Sequence, residues 1–253
     1  MVKMILCGCG GHMGHVVAEI AAADPEIEIV AGIDLAGQKE ETFPVYASLG
    51  ECTQEADVLI DFSSPKALDG ILAYSTEKQV PAVLCTTGYT PEQMEQIKAA
   101  AQQVAMMKSA NMSLGVNMLL KLLKTAAKTL APAGFDIEIV EKHHNLKVDA
   151  PSGTALAMAD SMNEALDDAY HYKYDRSQER VRRDAHEIGI SAVRGGNIVG
   201  EHEVIFAGLD EIVEFKHTAY SKSIFAKGAV QAAKFMAGKP AGFYDMGDVI
   251  GEI

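Results

Sequence analysis

The stretch from Met4 to Gly14 constrains the fold more than any other part of the chain. A short apolar run, Met4 to Cys7, passes straight into Gly8-Cys9-Gly10-Gly11-His12-Met13-Gly14, and a helical pattern then runs from Gly11 to Ala23 before Pro25. Glycines between a strand and a helix let the backbone turn tightly and approach a diphosphate, whose charge meets the helix N-terminus. The spacing Gly8-x-x-Gly11-x-x-Gly14 is a variant of G-x-G-x-x-G, and Asp34 stands 20 residues past its last glycine, at the end of a second apolar run, Ile27 to Ile33. Strand, glycine turn, helix and distal carboxylate together indicate a dinucleotide site. Asp34 can accept hydrogen bonds from adenine-ribose hydroxyls, which favours NAD(H), and it would repel a 2′-phosphate. The next cation, Lys39, comes five residues later.

The rest of the first half alternates short apolar runs with helical patterns, as a parallel sheet requires. Strands are expected at Val58 to Phe62, Pro81 to Cys85 and Val104 to Lys108, with helices from about Lys66 to Tyr74 and from Pro91 to about Gln103. Thr90-Pro91-Glu92-Gln93 reads as a capping box with proline at the first helical position. After Ser113 the pattern changes. A helix at Val116 to Leu130 carries Lys121, Lys124 and Lys128 as one solvated stripe, followed by a strand at Phe135 to Glu141 and a helix at Gly153 to Leu166. The charge-dense residues 167 to 187 read as an exposed excursion. Three β-rich runs follow, Ile188 to Arg194, Glu201 to Phe206 and Glu211 to His217, which without intervening helices suggest an antiparallel or mixed sheet. A last helix, Ser223 to Ala237, stops at Gly238 and can return to the first domain. The fold class is α/β: an N-terminal Rossmann-type doubly wound parallel sheet plus a C-terminal α+β domain with a mixed sheet. Residues 1–113, completed by 222–253, form the dinucleotide-binding domain, and 114–221 form a second domain for substrate and assembly.

Charge narrows the function. With 22 Lys+Arg against 35 Asp+Glu the net charge is -13, which repels phosphate backbones and anionic lipid surfaces, so neither nucleic acid nor membrane is an expected partner. No apolar run approaches the roughly 20 residues of a membrane-spanning helix, and the apolar start before Gly8 is too short for a signal peptide. The four cysteines show no metal-ligand spacing. Cys7 and Cys9, two apart, are expected on one strand face as small buried fillers, and a reducing cytoplasm fits.

A second constellation lies at Glu141-Lys142-His143-His144-Asn145-Leu146-Lys147-Val148-Asp149-Ala150-Pro151-Ser152-Gly153-Thr154. Adjacent histidines at a strand end point in opposite directions, so a shared metal ion is not expected. Histidine exchanges protons near neutral pH, and Lys147 supplies positive charge or an acidic proton. Ser152-Gly153-Thr154 opens a helix whose N–H groups can hold a carboxylate. Imidazole, cation and anion nest within 12 residues suit a small carboxylate substrate. A nucleotide-sensing module without catalysis would explain the glycine loop but leave His143, Lys147, Gly153 and Thr154 without a purpose. A semialdehyde dehydrogenase often carries a nucleophilic cysteine, and the second half of this chain has none.

These motifs, with Asp61-Phe62, Thr86-Thr87-Gly88, Asn111 to Asn117, Arg194 to His202 and Asp245 to Val249, resemble the dihydrodipicolinate reductases of lysine and diaminopimelate biosynthesis over essentially the whole chain. The resemblance implies NAD(P)H-dependent reduction of 4-hydroxy-tetrahydrodipicolinate. It makes His143 and Lys147 the catalytic pair, without deciding which gives the proton, and His144, Gly153 and Thr154 binders of the substrate carboxylates. It lines the cofactor with Gly8, Cys9, Gly10, Gly11, His12, Met13, Gly14, Asp34, Cys85, Thr86, Thr87, Ser109, Ala110, Asn111 and Met112. It further implies a homotetramer built through the second domain's sheet and closure of the domains over ligands. The family commonly has arginines where this chain has His12 and Leu35, and those arginines hold the NADPH phosphate. NADH is therefore expected to serve at least as well as NADPH. Cys85 replaces a usual glycine, and Lys222 a usual arginine.

Overall fold

The computed structural model describes residues 1–35 and 42–251. Lys39 lies outside the described residues. The first half carries β1 (Val2–Cys7), α1 (His12–Ala22), β2 (Ile27–Ile33), β3 (Val45–Tyr46), β4 (Val58–Asp61), α2 (Leu68–Lys78), β5 (Ala82–Leu84), α3 (Pro91–Ala100) and β6 (Ala105–Lys108). There follow α4 (Leu114–Leu130), β7 (Asp136–His143), α5 (Gly153–Glu164), β8 (His171–Lys173), β9 (Glu187–Arg194), β10 (Gly200–Ala207) and β11 (Ile212–Ala219). The chain finishes with α6 (Ser223–Met236), β12 (Gly242–Tyr244) and α7 (Met246–Ile250). Contacts divide the described residues into two compact units, 1–113 with 223–251, and Leu114–Lys222.

The first unit is a parallel sheet in the order β12-β6-β5-β4-β1-β2-β3. The strands run outward in both directions from the β1–β4 pair, the switch point where such sheets leave a crevice at their carboxyl ends. Burial on both faces explains the unbroken apolar strands: all four residues of β4 are inaccessible. Met4, Leu6, Ile60 and Val83 pack with Val17 of α1 and Ala229 and Val230 of α6, while Ile5, Leu59 and Leu84 pack with Ile71 of α2 and Ile97 of α3. The capping box of α3 is formed: the Gln93 N–H donates to Thr90 Oγ1 at 3.2 Å, and the Thr90 N–H to Gln93 Oε1 at 3.0 Å. A 3₁₀ turn over Pro65–Ala67 delays α2 beyond the expected start. The cysteine pair departs from expectation. Cys7 packs with Ile5 and Leu59 and Cys9 with Met4 and Leu6, on opposite sides of the sheet, because Gly8 between them takes φ +77°.

In the second unit the order is β11-β10-β7-β9-β8. β10 runs antiparallel to β7 and β11, and β9 parallel to β7 and β8, so the sheet is mixed. Helices α4 and α5 cover one face through Leu123, Ala127, Met158 and Met162, set on Ile137, Ile139, Val204 and Phe206. Residues 167 to 187 are largely exposed, as their composition indicates, but they are tied to the sheet. They contain β8, and Arg183 donates to Asp136 at 2.7 Å, to Glu138 at 3.1 Å and to the Ile137 carbonyl at 3.0 Å. Cations satisfied by the acidic start of β7 look, in sequence alone, like solvated ones.

Candidate active site

Each segment expected to line a cofactor sits at the carboxyl end of a strand of the parallel sheet: Gly8 to Gly14 after β1, Asp34 after β2, Cys85 to Thr87 after β5, and Ser109 to Met112 after β6. Backbone proximity explains the glycines. A Cβ on Gly8 would lie 2.6 Å from the Phe62 carbonyl oxygen, and one on Gly10 2.8 Å from Asp34 Oδ2. The Gly10 N–H donates to Asp34 Oδ2 at 2.9 Å, so the acid is pinned to the loop it serves. No side chain caps α1, which begins at His12 behind Gly11. The first-turn N–H groups of His12, Met13 and Gly14 thus lack an intrahelical partner and suit a diphosphate. These residues fit a dinucleotide. Leu35, beside Asp34, is 94% exposed and brings no charge.

Cys85 and Thr86 are buried, Thr87 and Ala110 exposed, and Asn111 Oδ1 accepts the Ser113 N–H at 2.8 Å. Burial pushes the Cys85 thiol well above its usual value, which makes it a packing group rather than a nucleophile. At the same carboxyl end of the sheet lies a cluster around Asp61, a residue that carries the family resemblance but was assigned no role. This carboxylate is fully buried, accepts from the Ser63 N–H at 2.9 Å and from the Tyr89 hydroxyl at 3.1 Å, and stands near Lys108, whose own burial lowers its pKa.

The second constellation forms where the buried face of the mixed sheet changes character. Along β7 that face reads Ile137, Ile139, Glu141, His143, and along β10 it reads Phe206, Val204, His202, Gly200, apolar at one end and ionisable at the other. Glu141 has no exposed surface. Its Oε2 lies 2.6 Å from His143 Nδ1, and Arg194, opposite His143 on β9, donates to both carboxylate oxygens at 2.7 Å. Its Oε1 also accepts the Ser152 N–H at 3.0 Å, just ahead of α5. Burial opposes the charge, but Arg194, His143 and Ser152 together hold the carboxyl below its usual pKa. His202 stands edge-on to His143 with ring centroids 5.1 Å apart, and its Nε2 lies 2.9 Å from Ser152 Oγ. Burial first, then the electrostatic effect of neighbouring His143, lowers His202 to about 4, so it is neutral at pH 7.

Lys147 is half-buried, and its Nζ pairs with Asp149 at 2.8 Å. Lys147, like His143, acts electrostatically on His202, though more weakly. The His144 carbonyl accepts the Lys147 N–H at 3.2 Å. At the start of α5 the Ser152 hydroxyl caps the Ala155 N–H at 3.2 Å, while the hydrogen bond from Lys147 holds the Asp149 carboxyl below its usual pKa. Part of the expected anion nest is therefore occupied by the chain's own groups. A cavity of about 520 Å³, lined by Lys128, Phe135, Asp167, Tyr170 and His186 among others, lies at the opposite end of α5 from Ser152 and is separate from this cluster.

Comparison with known proteins decides the family. Residues 2–112 match the model for the N-terminus of dihydrodipicolinate reductase, and residues 115–250 the model for its C-terminus. The chain belongs to the dihydrodipicolinate reductase family. It is 48% identical to the 4-hydroxy-tetrahydrodipicolinate reductase of Caldanaerobacter subterraneus over 99% of this chain and 98% of that one. The namesake from Clostridium tetani is 47% identical over 97% of this chain and 96% of that one. A dipicolinate-bound dihydrodipicolinate reductase from Paenisporosarcina shares the fold with a TM-score of 0.81 and 23% identity, over 97% of each chain. Membership makes the chain an oxidoreductase, and its nucleotide-binding fold is that of NAD(P)H-dependent enzymes.

The groups around His143 that sequence reasoning left without a role are Glu141, Arg194 and His202; Ser152 was read only as part of the helix start. One signal for them was available. In a strand alternating Ile137, Ile139, Glu141, His143, the apolar phase puts the carboxylate on the buried face, where it must be paired. The partner could not be read in the same way, because Arg194 lies 53 residues away and meets Glu141 only through sheet register.

Proposed function

We propose that this chain reduces 4-hydroxy-tetrahydrodipicolinate to tetrahydrodipicolinate with NAD(P)H, a step of lysine and diaminopimelate biosynthesis. The first unit carries the cofactor and the second the substrate dianion. Beyond family membership, one observation supports this reading most: a histidine–carboxylate pair buried at the polar end of a sheet, its carboxylate also fastened to the start of a helix. The reaction takes up one hydride and one proton and releases water. When bound, the nicotinamide supplies the hydride.

The residues divide the remaining work. Gly8 through Gly14, Asp34, Cys85 to Thr87 and Ser109 to Met112 hold the dinucleotide, with NADH accepted at least as well as NADPH. Lys147, His144, Gly153 and Thr154 orient the two carboxylates, as a cation and helix-start donors do. Asp149 now rests on Lys147, which holds its carboxyl below the usual pKa; a substrate carboxylate takes its place there. His143 has Nδ1 committed to Glu141, which leaves Nε2 to hold the proton delivered to the substrate. The sheet face not covered by α4 and α5 serves homotetramer assembly, and the enzyme works in the cytoplasm.

Pyridine-2,6-dicarboxylate, a flat dianion shaped like the product, tests the substrate assignment. It is expected to compete with substrate and to raise the melting temperature of the NADH-bound protein. A ligand specific for the folded state adds about 2.7 kcal/mol at a hundredfold excess over Kd. Thr154→Val should weaken this stabilisation and leave NADH binding intact. No shift at millimolar dicarboxylate with NADH saturating would overturn the assignment.

A further inference from the structure

We infer that Glu141, clamped by Arg194, is the positioning residue of the reaction: it fixes His143 as the Nδ1–H tautomer and so assigns the proton-carrying role to Nε2. This rests on the reading of His143 as the proton carrier. The geometry admits little else. Four donor groups converge on one fully buried carboxylate: the Ser152 N–H at 3.0 Å, two guanidinium nitrogens of Arg194 at 2.7 Å each, and His143 Nδ1 at 2.6 Å. A carboxylate facing a guanidinium in bidentate contact is ionised and can only accept, so the hydrogen between it and His143 belongs to Nδ1. Neutral imidazole then has its lone pair on Nε2.

The surroundings lock the ring as well as the tautomer. His143 and Glu141 are two apart on one face of β7, so the strand itself sets their separation. Arg194 is held in turn, donating to the Asp149 carbonyl at 2.6 Å and to the Val193 carbonyl at 2.8 Å. On the other side of the ring, Gly200 of β10 leaves room that a side chain would take, since a Cβ there would lie 3.1 Å from His143 Nε2. The same carboxylate fixes the backbone at Ser152, the residue that caps α5. One buried anion therefore sets both the imidazole and the start of the helix proposed to hold the substrate.

A purely structural ion pair would produce the same packing, so the test reads the tautomer. Nitrogen NMR of histidine-labelled protein should show His143 protonated at Nδ1 in the wild type. Glu141→Gln keeps the shape but sets an amide against Arg194 or the ring. It should lower kcat by about 10- to 1000-fold, with substrate KM within about threefold, NADH binding unchanged and His143 shifted toward the Nε2–H form. Arg194→Lys, which keeps the charge and loses the bidentate clamp, should fall between the two with the wild-type tautomer dominant. A wild-type His143 protonated at Nε2 overturns the inference, as does Glu141→Gln with reduced kcat and an unchanged tautomer. Wild-type kcat in Glu141→Gln beside a crippled His143→Ala refutes this inference alone. Near-normal kcat in His143→Ala refutes the proton-carrier reading beneath it.

Discussion

Gly14 and Gly70 are matched probes of the glycine loop, because each is the third residue of its helix, α1 and α2. Alanine is intrinsically better than glycine within a helix by about 0.5–1 kcal/mol, and that gain is common to both sites. Their surroundings differ. A Cβ at Gly70 meets nothing within 4 Å, whereas one at Gly14 lies 2.5 Å from the Cys9 carbonyl oxygen and closer still to that of Gly8. Both obstacles are backbone, so the loop must move to admit a methyl group, and overpacking of this kind costs about 1–3 kcal/mol. Propensity cancels in the comparison and the overpacking remains. At about 2–4 °C per kcal/mol, Gly14→Ala should melt several degrees below Gly70→Ala by circular dichroism. The displaced Gly8 and Cys9 carbonyls belong to the proposed phosphate cradle. NADH affinity, followed by fluorescence titration, should therefore fall at least about tenfold in Gly14→Ala, roughly 1.4 kcal/mol, and hold in Gly70→Ala. Equal melting temperatures with wild-type NADH affinity in both variants would refute the reasoning.

Two further expectations follow from charge. With Asp34 pinned to Gly10 and no arginine at His12 or Leu35, NADH should match or exceed NADPH in kcat/KM; a preference for NADPH above about tenfold would contradict this. His202, lowered from 6.5 to about 4 within reach of Glu141, His143, His217 and Lys147, stays neutral in the folded state while the unfolded chain takes up a proton. Stability from this group is complete above about pH 7 and falls through the window between the two pKa values, by about 2 kcal/mol between pH 7.5 and pH 5. His202→Gln should flatten that slope in urea melts across this range, and an unchanged slope would show that the loss arises elsewhere.

Local signals carried far in the first unit. The strand–glycine–helix order around Gly8, the Thr90–Gln93 capping box and the apolar runs of β2 and β4 are each determined within a few residues, and the structure forms them where the spacing indicates. Short edge elements escaped notice because two or three residues leave no periodicity: β3, β8 and β12 exist only through pairing with a neighbour. The opposed packing of Cys7 and Cys9 was hidden by one positive φ at Gly8, which breaks the two-residue alternation. In the second unit the His143–Lys147–Thr154 run was visible as chemistry, but the groups that hold it were not. Arg194 and His202 bound a run that carries the family resemblance, but they reach Glu141 and Ser152 only through strand register, so their partners could not be read from their own neighbourhoods. Asp149 occupying Lys147 was equally invisible, since a nearby acid and base in a loop are ordinarily solvated.

The central claim is a division of labour in which His143 and Lys147 act on substrate while the glycine loop holds the cofactor. Steady-state kinetics of His143→Ala and Lys147→Ala, paired with NADH titrations of the same proteins, test it most directly. Each variant should lose about 10²- to 10⁴-fold in kcat while NADH affinity remains close to wild type. Near-normal kcat in either variant, or a loss that follows weakened NADH binding, would contradict the claim.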